Sequence, residues 1–350
     1  MANNKTLKLA GLTGVMVILA GLLVLFLDLL RLVVDFVLTV KAGAFLVLCC
    51  VLFGLQGRGQ SMGLLDAVRN NDPRAVDSFL QKGADPNAYD DDSDNVLINS
   101  AIYGAVDCMR LLLQHKADPN LPNRYGHTAL MLCTDNLDKI KLLLQYGANI
   151  NAAAKSGSTP LLLACSGYGQ YEIVKWLIDH GADITAKRWN TENALIRAAQ
   201  FGDTTTVSLL VSKGFAIDST AWGYTPLINA VGTGNWPVVF WLLDHGADVN
   251  IADPNNRLPV LFAALAGNAE VVYALLAHTK DINIPDKMFG MTPLMWATQD
   301  EYDNPGIIQA FLKKGARVNL KAKDGSTALY WAQKKGNTAT VALLKKAGAK

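Results

Sequence analysis

From Met62 onward the apolar positions come in short bursts at helical spacing, separated by glycine and polar turns, and the bursts recur along the chain. Thr159 to Thr185 shows one unit in full. Thr159 suits a helix N-cap and Pro160 the first helical position, where the missing N–H costs nothing, so a short helix is predicted from there to about Ser166. Gly167 and Gly169 break it. A second helix carries Ile173, Val174, Trp176, Leu177 and Ile178 at near-helical spacing; Gly181 supplies a left-handed C-terminal cap and Asp183 closes the unit in a turn. Ahead of this array the pattern changes. Leu9 to Leu27 is nineteen residues without a charge, and Phe36 to Leu55 is apolar except for Lys41.

Copies of the unit return at a period of roughly 33 residues. The helix-opening position falls at Asn95, Thr128, Thr159, Asn193, Thr225, Leu258, Thr292 and Thr327, and three copies carry the full Thr-Pro-Leu, beginning at Thr159, Thr225 and Thr292. The closing Gly-Ala-Asp or a relative begins at Gly83, Gly147, Gly181, Gly246 and Gly315. With an opening unit from Met62 to Asn87 that lacks its finger, the chain reads as nine repeats ending in a cap at Lys350. These motifs resemble the ankyrin repeat over about 290 of the 350 residues. The resemblance implies an all-α repeat solenoid: an L-shaped stack of helix pairs joined by β-hairpin fingers, with a concave face that binds another protein. The third repeat is short by about two residues around Asp135 and Asn136, and the eighth has about two extra in Asp300 to Pro305.

The chain therefore divides into a membrane anchor at residues 1–60 and a repeat domain at 61–350. At about 1.5 Å per residue, the first apolar run is long enough to cross a bilayer. In the favoured reading, spans at about 9–27 and 36–55 form a transmembrane helical hairpin with residues 28–35 as its polar turn. Lys41 then snorkels toward that turn, and Lys5, Lys8 and Arg58 mark the cytoplasmic side, placing both termini and the array there, beside an inner (plasma) membrane. In the competing reading a single helix continues through Asp35, with Asp28, Arg31 and Asp35 on one face, and the array lies in the periplasm. The polar hinge from Gln56 to Met62 keeps the first repeats within roughly 25 Å of the membrane.

Composition narrows the function classes. A net charge of +2, with 27 Lys/Arg against 28 Asp/Glu in the array, gives no case for nucleic acid. Five cysteines form no disulfide pattern, and Cys133 and Cys165 replace alanines of the first helix, so they read as buried thiols. His180 and His245 share one repeat position two units apart, and His115 and His278 fall at or near it; helix layers about 8–10 Å apart keep them from sharing a metal. Asp90, Asp92 and Asp94 open like a calcium loop, but Asn95 stands where its turn glycine belongs and Ala101 where its bidentate glutamate belongs. Gly167-Tyr168-Gly169 and Gly232-Thr233-Gly234 have no preceding strand or phosphate-binding lysine and read as turns between helices. No catalytic constellation or cofactor motif assembles, and the chain reads as a non-enzyme.

The informative departures lie on the fingers. Tyr125, Trp222 and Phe289 sit just before the finger glycine, with Trp189, Tyr224 and Met288 close by, where small polar residues are the rule. Large aromatics there mark a contact surface, unless they fold back onto neighbouring fingers. The first-helix position occupied by Ile98, Met131, Leu162, Ile196, Ile228, Leu261, Met295 and Tyr330 is apolar throughout and reads as core between repeats. Charge is also uneven. Asp85, Asp90, Asp91, Asp92 and Asp94 cluster near the anchor, while Lys313, Lys314, Arg317, Lys321, Lys323, Lys334, Lys335, Lys345, Lys346 and Lys350 crowd the last repeats.

The sequence thus predicts a membrane-anchored, bacterial-type ankyrin scaffold that binds a protein partner as adaptor or immunity-like inhibitor. The alternative is an accessory subunit of a transporter or channel, with Asp28, Arg31, Asp35 and Lys41 paired to other spans. The hairpin topology gives a first test. A reporter active only in the periplasm, fused after Lys350, should be silent; strong activity would favour the single span.

Overall fold

A computed structural model describes residues 63–103, 106–299 and 303–350. Both apolar runs, the four charges between and within them, Cys49, Cys50 and the hinge lie outside the described residues, as do residues 300–302 of the eighth unit's loop. Among the described residues no helix is long and apolar enough to cross a membrane.

Among the described residues nine helix pairs follow one another in chain order. They are α1 (Leu64–Arg69) with α2 (Pro73–Gln81), α3 (Val96–Ile102) with α4 (Val106–Gln114), and a 3₁₀ helix (Ala129–Cys133) with α5 (Leu137–Gln145). Next come α6 (Pro160–Ala164) with α7 (Tyr171–Asp179), α8 (Ala194–Phe201) with α9 (Thr204–Ser212), and α10 (Pro226–Thr233) with α11 (Trp236–Asp244). The last three are α12 (Pro259–Leu265) with α13 (Ala269–His278), α14 (Pro293–Ala297) with α15 (Pro305–Lys313), and α16 (Ala328–Lys335) with α17 (Thr338–Lys346).

Local chemistry explains where the first helices begin. Thr159, Thr225, Thr292, Thr327, Asn95 and Asn193 each accept, through the side chain, the N–H three residues on, satisfying one of the orphan donors of a helix start. Thr128 makes no such bond, and its buried hydroxyl has no partner. That unit is the short one, and its first helix is 3₁₀, which rises about 2.0 Å per residue instead of 1.5 and so crosses the layer with fewer residues. Its second helix adds a tie to the unit before: the buried Lys139 Nζ donates to Ala101 O at 2.7 Å, and burial lowers the pKa of this ammonium.

The first helices are nearly enclosed. Ile98, Met131, Leu162, Ile196, Ile228, Leu261 and Met295 are buried between layers, as their shared position predicts. Tyr330 departs from that expectation and is exposed, since among the described residues no unit packs on the outer side of the ninth. Cys108, Cys133 and Cys165 are free and buried. Burial pushes the Cys108 thiol up to about 11 and the Cys133 and Cys165 thiols up to about 12.

The fingers differ from the expected β-hairpins. Among the described residues they form only isolated bridges, Tyr89 with Asn95 and Ala221 with Tyr224. The arms are too short for a ladder, and side chains close the turns instead. Asp90 Oδ1 accepts the N–H groups of Asp92 and Asp94, Asn123 Oδ1 those of Tyr125 and His127, and Asp253 Oδ1 those of Asn255 and Arg257. Asp90 also receives Arg69 and Asn99, so its carboxylate is occupied as a structural anchor.

A second set of side chains runs along the opposite loops, and the sequence reading missed it. Two residues beyond the Gly-Ala-Asp position stands an asparagine whose amide bonds the equivalent loop of the next unit. Asn151 accepts Asp183 N–H at 2.7 Å and donates to Gly181 O at 3.1 Å. Asn120, Asn250, Asn283 and Asn319 repeat both bonds. Asp218 keeps only the accepting half, toward Asp248 N–H, and Thr185 bonds within its own turn.

Two predictions follow from this architecture. Asn151→Ala should lower stability by about 1–2 kcal/mol, whereas Thr185→Asn, which supplies the missing bridge, should raise it by about 0.5–1 kcal/mol. Urea unfolding would check both, and no gain from Thr185→Asn would mean that the fifth loop cannot receive the amide. In a Cys49→Ser/Cys50→Ser background, the three buried thiols should react with a thiol reagent at pH 8 at least about a hundredfold more slowly than after unfolding. Because their folded pKa values lie above the unfolded one, stability is unaffected below pH 9, the unperturbed thiol value, and falls as pH rises toward about 12.

Candidate protein-binding face

Backbone bonds lock four of the finger-to-finger junctions, and at the junction of the fifth and sixth fingers Trp222 N–H donates instead to the Thr191 side-chain hydroxyl at 3.3 Å. Lys155 N–H donates to Tyr125 O at 3.0 Å, Trp189 N–H to Ser156 O at 3.0 Å, Lys287 N–H to Asn255 O at 2.8 Å and Lys323 N–H to Phe289 O at 2.9 Å. The approach is close enough to demand glycine at two tips. A Cβ on Gly126 would lie 2.8 Å from Lys155 N, and one on Gly157 would lie 3.0 Å from Arg188 Cα, both at positive φ. The tips are therefore a rigid row rather than independent loops.

On that row the six candidate residues separate into two environments. Tyr125, Trp189, Trp222 and Met288 are 54, 53, 53 and 56% exposed. The Trp189 and Trp222 rings meet edge to face with centroids 5.1 Å apart. Tyr125 lies under the Arg124 guanidinium at 4.8 Å and near His127, whose pKa is lowered by burial. Tyr224 and Phe289 are half-buried. The Tyr224 hydroxyl accepts from Arg257 at 3.4 Å, and Phe289 packs edge-on against Trp296 at 5.8 Å.

These residues do not form one continuous stripe. Between Tyr125 and Trp189 the fourth finger presents Lys155 and Ser156, and between Trp222 and Met288 the seventh presents Pro254, Asn255 and Asn256. What the fold brings together is the Trp189–Trp222 pair, and separately the Met288–Phe289 finger. Trp222 also holds φ at +49°, a left-handed conformation unusual for so bulky a residue.

The sequence reading missed a second row, at the fourth residue after each helix-opening position. It comprises Asn99, Leu132, Leu163, Arg197, Asn229, Phe262, Trp296 and Trp331. Their bonds set them at the finger bases: Trp296 Nε1 donates to Asp286 at 3.0 Å, Trp331 Nε1 to Ser326 Oγ at 2.9 Å, and Phe262 lies 5.0 Å beneath the Arg257 guanidinium. Halfway along, the buried Arg197 donates to Ser166 Oγ at 2.8 Å, approaches Glu192 at 3.7 Å and stacks over Phe201. The row thus runs Asn99, Leu132 and Leu163 before Arg197 and is aromatic in the last three units. A period count at this one position would have found it.

The histidines belong elsewhere. His180 stacks on Trp176 with centroids 3.6 Å apart and its Nδ1 lies 2.8 Å from Trp176 O; His245 repeats both contacts with Trp241, at 3.7 and 2.7 Å. Each closes the end of a second helix.

Comparison with known proteins follows the same lines. The chain is 30% identical over 184 residues to dynein axonemal heavy chain 12 of Bos taurus, covering 50% of this chain and 51% of that protein. It is 30% identical over 206 residues to ankyrin repeat protein nuc-2 of Neurospora crassa (58% of this chain, 15% of that one). Against human palmitoyltransferase ZDHHC17 it is 38% identical over 187 residues (52 and 29%). The matches thus span about half the length of the first relative and less than a third of the other two. The crystal structure of the human ASB11 ankyrin repeat domain superimposes with a TM-score of 0.56 at 22% identity, covering 62% of this chain and 98% of that one, which is a likeness of fold. A family model described as ankyrin repeats (3 copies) matches residues 64–154, 134–188, 161–253 and 256–350. With repeats, caps and fingers in register over all the matched residues, this chain belongs to the ankyrin-repeat family.

Proposed function

We propose that the chain is a membrane-anchored scaffold, without catalytic activity or cofactor, whose array binds a protein partner at its fingers and inner helices. Residues 9–55 hold it in the inner membrane as a helical hairpin, and the array stands on the cytoplasmic side. There it acts as an adaptor or as an inhibitor of immunity type. Protein interaction is what ankyrin repeats generally do. The polar hinge ties the first repeats close to the bilayer, so a partner that is itself membrane-bound or membrane-targeted suits the geometry.

One observation carries the binding site. Trp222 is more than half exposed, meets the Trp189 ring edge to face, and is held at a positive φ that a glycine would adopt without strain. A large apolar ring in a strained tip contributes little to the stack. Trp is also the residue type most enriched where binding energy concentrates. The Trp222 N–H is tied to the Thr191 hydroxyl of the neighbouring finger at 3.3 Å, which holds the tip and reduces the ordering lost on docking.

The test separates binding from folding. Crosslinking in membranes with mass spectrometry identifies the partner, and recovery of that partner is then compared for Trp222→Gly, Trp189→Ala and the parent. Trp222→Gly should leave the melting temperature equal or higher while weakening binding about thirtyfold, the equivalent of about 2 kcal/mol. Unchanged recovery with an unchanged melt would remove this pair from the interface. A large fall in melting temperature would show that the rings are structural.

A further inference from the structure

The last three units differ from the others in two independent ways that coincide in space. Their finger-base position is aromatic in consecutive layers, Phe262, Trp296 and Trp331, and all three rings are half-exposed. Over them the eighth and ninth finger tips carry exposed lysines without a carboxylate partner among the described residues. Lys287 Nζ rests on Pro254 O at 3.0 Å and Lys323 Nζ on Lys287 O at 2.6 Å. Carbonyl oxygens leave a full positive charge in place.

Two of the three acids of these fingers, Asp253 and Asp286, are turned inward. Asp253 is buried, accepts two backbone N–H groups and pairs with Arg257 at 2.7 Å. Asp286 is buried and receives the N–H groups of Met288, Phe289 and Met291 and the indole of Trp296. Asp324, exposed on the ninth finger, bonds Ser326 and lies near Lys334, which itself sits 4.7 Å over the Trp331 ring. A positive rim above an apolar floor is left.

We propose that this end of the inner face binds an extended acidic segment of a partner protein, its apolar side chains seated on Phe262, Trp296 and Trp331 and its carboxylates on Lys287 and Lys323. The inference rests on the scaffold reading above and names the chemistry of what is bound. Spacing supports it. Helix layers lie about 8–10 Å apart, and three residues of extended chain advance about 9–10 Å, so an apolar residue at every third position meets one ring per layer. The floor suits aliphatic or aromatic anchors better than stacked bases. Trp296 is approached edge-on by Phe289, Trp331 edge-on by Tyr330, and Lys334 covers one Trp331 face, so flat open faces for base stacking are lacking.

The experiment uses the full chain in lipid nanodiscs and a random-sequence peptide library, with empty nanodiscs subtracted. Enriched peptides should carry Asp or Glu between apolar residues spaced by three, and their affinity should fall as salt rises. Measured by fluorescence anisotropy, the strongest of them should lose about thirtyfold in affinity against Lys287→Glu/Lys323→Glu and about as much against Trp331→Ala. The charge reversal touches only exposed side chains, so it tests the rim even if a tryptophan variant folds poorly. Peptides that are neutral or basic, or that bind the charge-reversed protein undiminished, would overturn the proposal, as would displacement by a single-stranded oligothymidylate. Peptides lost with Trp189→Ala/Trp222→Gly but kept by the charge reversal would sink this inference and leave the scaffold reading standing. A library yielding nothing would count against both.

Discussion

No helix pair of this chain can bury its apolar side alone, and the whole structure depends on that constraint. A first helix such as α6 is five residues long, too short to be stable in isolation, yet Leu161, Leu162 and Ala164 are almost wholly enclosed because units lie on both sides. Stability is then a chain of nearest-neighbour terms, and every device found along the array tightens one such contact. Capping side chains fix where each first helix starts, asparagine bridges tie the loops along one edge, and backbone bonds tie the fingers along the other. Both edges being clamped, the layers have little freedom to shear.

Clamping has a functional consequence. Finger tips ordinarily belong to the mobile part of a protein, where exposed aromatics would lose much of their advantage to ordering on binding. Here the tips hydrogen-bond tip to tip, and two glycines are present because the neighbouring backbone leaves no room for a Cβ. Rings such as Trp189 and Trp222 are consequently displayed in fixed positions. The bridge missing at Thr185 falls in the middle of the array, next to the unit that carries the buried Arg197–Glu192 network. That network crosses from the fourth unit's Ser166 to the fifth unit, and stands where the amide does not.

Much of the fold was legible in the sequence because its signals are local. The helix-opening residues fall at all eight expected positions, and at six of them the side chain takes the N–H three residues on, a bond that needs nothing beyond its own turn; Thr128 and Leu258 mark the start without it. Positive φ at Gly147, Gly181, Gly246 and Gly315 follows from the backbone alone. The β-hairpin expectation went astray for a related reason: turn residues were visible, but whether two arms are long enough to pair depends on where the adjoining helices stop.

What only the tertiary structure decided is which side chains are left over after the units stack. Trp222 and Phe289 occupy the same place before a finger glycine, yet one is exposed and the other lies against Trp296. Tyr330 shares a position with seven buried residues and is exposed because no described layer covers it. The asparagine bridges need a partner about one repeat away, and the inward turn of Asp253 and Asp286 depends on side chains four and ten residues on that the fold of their own unit brings back to them. A period read along the sequence states that such residues are equivalent. Only packing states what each one touches, because exposure is a property of the neighbour as much as of the residue.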